Sequence, residues 1–597
     1  MRVVYLVPPG RFPTVIVDPG QWWDTVAASG RHEVLGYSAN FHWWRGICHA
    51  GIKEKLLTSF GPAQRLRKRL EWSVANLDLR ASARAGANAL EVLRTASGCS
   101  SARLFLDATR DLAGHLGTLN RAQSELQFSL SPGLRVRDVN YHDSGAMLQC
   151  ARTHPVLARL VAQALACAPT GIDFLAVSVT SAESLLTAMV AVRLLRESNP
   201  RMHCCLADHG YENFSLHAHI DALRASHNLD QLFDTIVEAK DDRDTLLPTL
   251  IDSVAAGRPM RGFVKSMPAA SQPDLLTATT TPTVLSYSPP PVLPTFTPEP
   301  VLFTRLSRRR CYWSRCTFCT QNTKYDDPRA ASRLEVPKSL DRLSAYVNAG
   351  YRNIVFSDEA IAPATLRILS QEILKRGIKF QWTCRCRLEL AHNRELFELM
   401  RAAGCYEILF GLESISTRVQ MLMDKHVEGM DEARVRAIFD DMVAAGLGIH
   451  VTMIVGFPGD TPEDSERTVN FVIDTLRGAR NATFYLNRFC VFPDTIILRE
   501  PARFGVARVV ARGDMPSTYD YEMDPTHDAS MSAIARYPQL HTMLVQGLGW
   551  ACLGGGDAGA AAELLYFTSG WGAMFKALPA NPFANPLVEA PDTALLV

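Results

Sequence analysis

VLFTRLSRRRCYWSRCTFCTQN, residues 301–322, is the stretch on which the fold of this chain turns. It starts as a short apolar run, the composition of a strand buried on both faces. It ends in a loop that packs Cys311, Cys316 and Cys319 into nine residues. The same alternation then repeats downstream. Apolar runs at 353–357, 379–384, 406–411, 449–456 and 482–489 are separated by amphipathic helical patterns. Gly350, Gly377, Gly404, Gly446 and Gly478 stand where those helices should stop, with the next strand following almost at once. One helix start is marked by Thr461 as N-cap, Pro462 in the first turn and Asp464 reaching back. Six strand–helix units over 301–500 predict a partial, open (β/α)6 barrel, whose chemistry belongs at the C-terminal strand ends.

Upstream, residues 266–300 are rich in Pro, Thr and Ser and predict an extended linker. Residues 1–265 before it read as a second α/β domain. Val3–Val7, Glu33–Tyr37, Asp173–Val179, Met202–Leu206 and Thr235–Val237 are candidate strands, and Leu185, Met189, Val192 and Leu195 give a helical pattern after the third. Alternating apolar strands and helices predict a Rossmann-like parallel sheet. Residues from about 50 to 165 interrupt it with a helical insertion. The basic run Arg65, Arg67, Lys68 and Arg69 there reads as a solvated helix face, and Trp22, Trp23, Trp43 and Trp44 as core. After 501 the periodicity fades into a small C-terminal extension, with one helix expected near 540–552 and a region suited to shaping substrate choice.

The 597 residues exceed one core, and 62 Lys plus Arg nearly cancel 61 Asp plus Glu. A net charge of +1 gives no reason to expect nucleic acid. The opening MRVVYLVPPG reads as a strand entering a loop rather than a signal peptide, and no apolar run is long enough for a membrane span. A cytoplasmic protein with reduced thiols is expected, so the 14 cysteines call for an account other than disulfides. Scattered ones (Cys48, Cys99, Cys150, Cys167, Cys490, Cys552) read as small buried hydrophobes. The triplet differs. Four thiolates would close a structural zinc site, whereas three leave a position open, as a catalytic soft-metal centre requires. No fourth Cys or His lies within zinc-ligand spacing; the next cysteines are Cys384 and Cys386.

CYWSRCTFC at the end of a first barrel strand resembles the cluster loop of radical S-adenosylmethionine (SAM) enzymes, and within them the cobalamin-binding group. That group commonly has Gly where this chain has Arg310 and Ser314. Four residues separate the first two cysteines here, against three in the general superfamily pattern. The resemblance implies a 4Fe-4S cluster on Cys311, Cys316 and Cys319, with SAM chelating the remaining iron and Phe318 packing near its adenine. It extends to Ser357-Asp358-Glu359 after the second strand, for the SAM amino group; only the acidic character of the family's turn is kept there. Arg385 and Arg387 after the third would face the SAM carboxylate as forks. Glu413 and Ser414 in GLES resemble the ribose-contacting segment, and Gly456 and Pro458 in GFPG the adenine-side loop, where glycine permits close backbone approach to a ligand. Each has a plainer reading as a cap, surface charge or tight turn.

The sheet domain, linker and barrel together resemble the cobalamin-dependent members, whose VVYLVPPG-like and DFLAVSVTSAESLL-like strands place Ser178, Thr180 and Ser181 near cobalamin. That group often has a Gly pair after the next strand, where this chain reads LADHGYEN, and a Gly-Glu turn after the last, where it reads VEAKDD. The resemblance implies a one-electron donor such as flavodoxin or ferredoxin, reductive cleavage of SAM to a 5′-deoxyadenosyl radical, and methyl transfer through cobalamin to an unactivated carbon of a small-molecule or peptide substrate. No protein residue is assigned as catalytic. Tyr312 and Trp313 either shape the face toward cobalamin or simply pack. Two alternatives stand: a radical SAM rearrangement or oxidation without methyl transfer, and a non-catalytic zinc module.

Overall fold

The computed structural model describes residues 1–10, 15–17, 19–57, 62–75, 78–95, 101–130, 134–208, 210–211, 214–238, 243–265, 301–306, 311–322, 336–477, 479, 482–527 and 529–548. The expected linker, Cys99, Gly478, Cys552 and the tail beyond 548 fall outside these. The chain divides into two compact units, one of residues 1–300 with 512–516, the other of 301–511 with 517–597.

The first unit is built on six parallel strands: β1 (Arg2–Val7), β2 (Glu33–Ser38), β3 (Phe174–Ser178), β4 (His203–Asp208), β5 (Thr235–Val237) and β6 (Gly262–Val264). Their order across the sheet is β6-β5-β4-β3-β1-β2. Five match the sequence reading; β6, only three residues long, carried no pattern to read. Every residue of β3 is buried, as expected of a central parallel strand. Tyr5, Trp22, Trp23, Phe174, Leu247 and Ile251 share one core cluster. Trp43 and Trp44 are also buried. The insertion is mostly helical, with helices at Pro62–Val74, Leu79–Leu93 and Ala102–Ala122 among others, and one short hairpin, Leu126–Phe128 with Leu134–Val136. The basic run lies exposed or half-exposed on the first of these helices.

The second unit contains β7 (Val301–Thr304), β8 (Asn353–Phe356), β9 (Gln381–Arg387), β10 (Cys405–Glu413), β11 (Gly448–Val455) and β12 (Ala482–Arg488). Each pairs in parallel with the next in sequence, so the strands curve in chain order as an open barrel. Gly350, Gly377, Gly404 and Gly446 all have positive φ at the helix ends. Thr461 caps its helix, Pro462–Leu476, by accepting from the Asp464 N–H. Beyond the barrel come an antiparallel hairpin (Val506–Val510 with Asp520–Met523) and helices Ala529–Ala535 and Tyr537–Leu548. Among the described scattered cysteines Cys48 and Cys150 are buried as expected, whereas Cys490 is half-buried and Cys167 exposed.

Candidate active site

The cysteine loop leaves the C-terminal end of β7, at the barrel mouth. Cys311, Cys316 and Cys319 are electrostatic neighbours of one another. Burial pushes the Cys316 thiol up to about 11 and raises Cys311 and Cys319 as well. The backbone N–H groups of Ser314 and Trp313 pull Cys311 partly back. The Gln321 N–H donates to the Cys319 sulfur at 3.4 Å. Three desolvated thiols with amide donors aimed at two of them fit a metal cluster, whose charge takes the thiolate form out of dependence on solvent. A single zinc needs its ligands at about 2.0–2.3 Å from one point. Among the described residues no group of three His, Cys, Asp or Glu side chains is arranged to hold a single metal ion.

One residue central to this site is invisible in the sequence. Lys425 is buried, and its ammonium faces Cys316, Cys319 and Cys311. It donates to Glu413 at 2.6 Å, with side chains only 13% and 9% exposed. Burial opposes its charge, but Glu413 and Cys316 hold its pKa above the ordinary lysine value. Glu413 itself sits at φ 60, a left-handed geometry uncommon for a side-chain-bearing residue, where the register of β10 against β11 slips. A Cβ at Gly411 would stand 2.5 Å from the Lys425 nitrogen, so glycine there makes room for the pair. Thr452 also reaches the Glu413 carboxylate, at 3.3 Å.

The other expected residues divide into groups. Glu359 lies between Arg305 (3.4 Å) and Arg385 (3.6 Å), and its charge is felt at Cys311 and Cys319. Asp358 is buried and accepts from the Leu306 N–H at 2.9 Å, while Ser357 bonds the Thr304 carbonyl; both tie β8 to the start of the cluster loop. Phe318 meets Phe457 edge-on at 6.2 Å, which joins the cluster loop to the GFPG turn. Ser414 accepts from the Ser416 N–H and neighbours Thr468, shaping the turn after β10. Pro458 is buried between Phe457 and Gly459. At Gly456 (φ 79) the close approach expected of a ligand comes from the protein itself. An added Cβ would overlap Ile534 and lie 2.9 Å from the Ser530 carbonyl, both on the helix Ala529–Ala535.

Arg387 also differs from expectation. Its guanidinium donates to Glu389 at 2.5 Å and to the carbonyls of Lys425 (2.9 Å) and His426 (3.2 Å), and it lies 3.6 Å from the Trp313 ring centre. Tyr312 donates to the same Glu389 at 2.8 Å, and the Trp313 indole N–H to the Asp424 carbonyl at 2.8 Å. Tyr312 and Trp313 therefore both have partners inside their own unit.

In the first unit, strand order reverses between β1 and β3, the place where open α/β sheets bind ligands. Pro8, Pro9 and Gly10 leave β1 there, and Ser178, Thr180 and Ser181 leave β3. The Gly10 N–H donates to buried Asn40 at 3.1 Å, and Thr187 donates to the Pro9 carbonyl at 2.7 Å. Ser181 is the N-cap of helix Ala182–Ser198 in a reciprocal box with Ser184, and Ser178 is buried. This crevice of small, uncharged residues suits a bulky cofactor approached by backbone.

Residues 309–472 match the model of the radical SAM superfamily. An uncharacterized methyltransferase from Pyrococcus horikoshii is 26% identical over 161 residues, which span 26% of this chain and 33% of that protein. The radical S-adenosylmethionine methyltransferase TsrM from Kitasatospora setae, solved with tryptophan and a SAM analogue, superposes with a TM-score of 0.53 at 12% identity, covering 96% of this chain and 98% of that one. The cobalamin-dependent radical enzyme OxsB, solved with aqua-cobalamin, gives 0.42 at 13% identity over 66% of this chain and 63% of its own. Among the described residues no helix is long and apolar enough to cross a membrane.

Proposed function

We propose, from the match of residues 309–472 to the radical SAM superfamily, that the chain is an enzyme that reductively cleaves SAM and transfers a methyl group, by way of cobalamin, to an unactivated carbon of a peptide or natural product. The observation that carries this reading is the cysteine loop at the barrel mouth, closed on one side by the buried Lys425–Glu413 pair. Cys311, Cys316 and Cys319 hold the 4Fe-4S cluster, and the β1/β3 crevice with Ser178, Thr180 and Ser181 holds cobalamin. Bound there, the cluster would supply the electron for SAM cleavage and cobalamin the methyl carrier. A one-electron donor such as flavodoxin or ferredoxin serves the cluster.

The chain's own residues bind, orient and exclude water. Lys425 sets a fixed positive charge beside the thiolates, where a carboxylate of the cosubstrate finds a partner in a low dielectric. Arg385, held by Glu359, offers a second cation on the same side, while Glu413 accepts hydrogen bonds from ammonium or hydroxyl groups. Phe318 and Phe457 present ring edges suited to a purine. Fixing all of these before the cosubstrate arrives is the protein's contribution to rate.

The test is anaerobic purification with cobalamin supplied, followed by iron, sulfide and cobalt analysis and incubation with SAM and a reductant. About four irons per chain and formation of 5′-deoxyadenosine are expected. S-Adenosylhomocysteine should accompany it. Deoxyadenosine without S-adenosylhomocysteine would remove methyl transfer, and stoichiometric zinc without iron would remove the whole reading.

A further inference from the structure

Arg387 joins more parts of the cluster environment than any ligand-binding role requires. From β9 it reaches three separate pieces of chain. It lies over Trp313, two residues from Cys311, with its central carbon 3.6 Å from the ring centre. Through Glu389 it shares a carboxylate with the Tyr312 hydroxyl. Through one nitrogen it binds the carbonyls of Lys425 and His426, which fixes the backbone that presents the Lys425 ammonium. The residue is 5% exposed. The two loops it bridges are stitched together further by the Thr317 N–H to the Met423 carbonyl (2.9 Å), Thr317 Oγ1 to the Leu422 carbonyl (3.1 Å) and the Arg315–Asp424 ion pair (3.0 Å). Both loops also bend through left-handed residues that are not glycine, Ser314 at φ 49 and Asp424 at φ 50. Such backbone persists only where its surroundings over-determine it.

We propose that Arg387 is a positioning residue that locks the cluster loop, with its extra residue between the first two cysteines, against the 422–426 loop, so that thiols and ammonium are set before iron arrives. The inference rests on the cluster assignment proposed above. It separates Arg387 from Arg385: one guanidinium organises the loop, the other faces the cosubstrate. Lysine cannot replace the first, because an ammonium has no planar face to lay on an indole and no second nitrogen to reach the Glu389 carboxylate while the first holds the two carbonyls.

The experiment uses the full chain as wild type, R387K, W313L and the double variant, each checked for folding by thermal melt. Iron per chain after reconstitution is read beside SAM binding per loaded cluster, followed by the change in the reduced cluster's electron paramagnetic resonance on adding SAM. Hydrogen exchange of the 311–322 amides is read on iron-free protein. R387K should lose most of its iron and exchange those amides faster, W313L should do the same to a smaller degree, and the double variant should be no worse than R387K. Clusters that do load should still respond to SAM. Full iron with the SAM response gone would overturn the proposal, since Arg387 would then be a cosubstrate ligand. Unchanged amide exchange in a folded W313L would overturn it as well, whether or not R387K folds. A wild type that takes up no iron sinks the cluster reading instead, while the exchange arm still decides whether the lock exists.

Discussion

The two parallel sheets solve opposite electrostatic problems at their C-terminal ends. At the barrel mouth, buried charge is paired at one residue after another: Lys425 with Glu413, Arg387 with Glu389, and Glu359 between Arg305 and Arg385. At the β1/β3 crevice of the first unit, the residues leaving the strands are proline, glycine, valine, serine and threonine, all uncharged, with Asn40 as a polar partner. A site that must hold a charged cluster and a zwitterionic sulfonium needs fixed charges in a low dielectric. A site for a large cofactor held through many weak contacts needs small side chains and open backbone instead. The difference teaches that one fold can present opposite side-chain charge at its strand ends, since both sheets are parallel α/β, and it fits the ligands proposed for each.

The largest expected effect breaks the comparison outright. Cys316→Ala should abolish iron uptake and deoxyadenosine formation while leaving cobalt content at the wild-type value. Ser178→Leu, which fills the neutral crevice, should do the reverse. Metal analysis of the two proteins side by side reads this directly. Joint loss of both metals in either variant would show that the sites do not load independently.

Next in size is the charged pair. Lys425→Met leaves the Glu413 carboxylate buried without its cation, a change that typically costs about 3–5 kcal/mol. Glu413→Gln strands the ammonium in the same way. The double variant should recover most of the lost stability in a thermal melt and none of the SAM cleavage. If cleavage returned with stability, the pair would be scaffolding and the mouth would need no fixed charge.

The sequence shows where each sheet ends but not what stands there. Apolar periodicity and glycine stops make the six barrel strands legible because each element repeats one physical rule. The cysteine loop is legible because three thiols in nine residues have few other uses. Lys425 is not, because a lone lysine in the loop MDKHVEG reads as solvent-exposed until the turn at Glu413 folds it inward. Arg387 is legible by its chemistry, a fork, without sight of the indole it lies on. Gly456 reads as room for a ligand, yet Ile534 takes that room. Composition along the chain names what a residue can do. Burial and partner choice, which decide what it does, come from residues distant in sequence.

The smallest effect tests whether buried charge at the mouth is tolerated only when paired. Asp460, after GFPG, is the exception. Its Oδ2 accepts from the Gly456 N–H (2.8 Å) and Ser465 (2.6 Å), but Oδ1 is buried with no hydrogen-bond partner. Burial pushes its pKa up to about 6. A carboxyl whose pKa is higher folded than unfolded favours the folded state while protonated. Its contribution is therefore full below the unfolded value near 3.8 and is lost as pH rises toward about 6. A rise of that size corresponds to about 2–3 kcal/mol as an upper bound. Asp460→Asn keeps one acceptor for the Gly456 N–H and cannot ionise. Its melting temperature should gain on that of the wild type as pH rises from about 4 to 6.5, because the variant lacks the contribution that the wild type loses there. Parallel melting curves for the two proteins across that interval would mean that Asp460 is solvated or partnered, and that its buried carboxyl is no exception to the pairing seen at the rest of the barrel mouth.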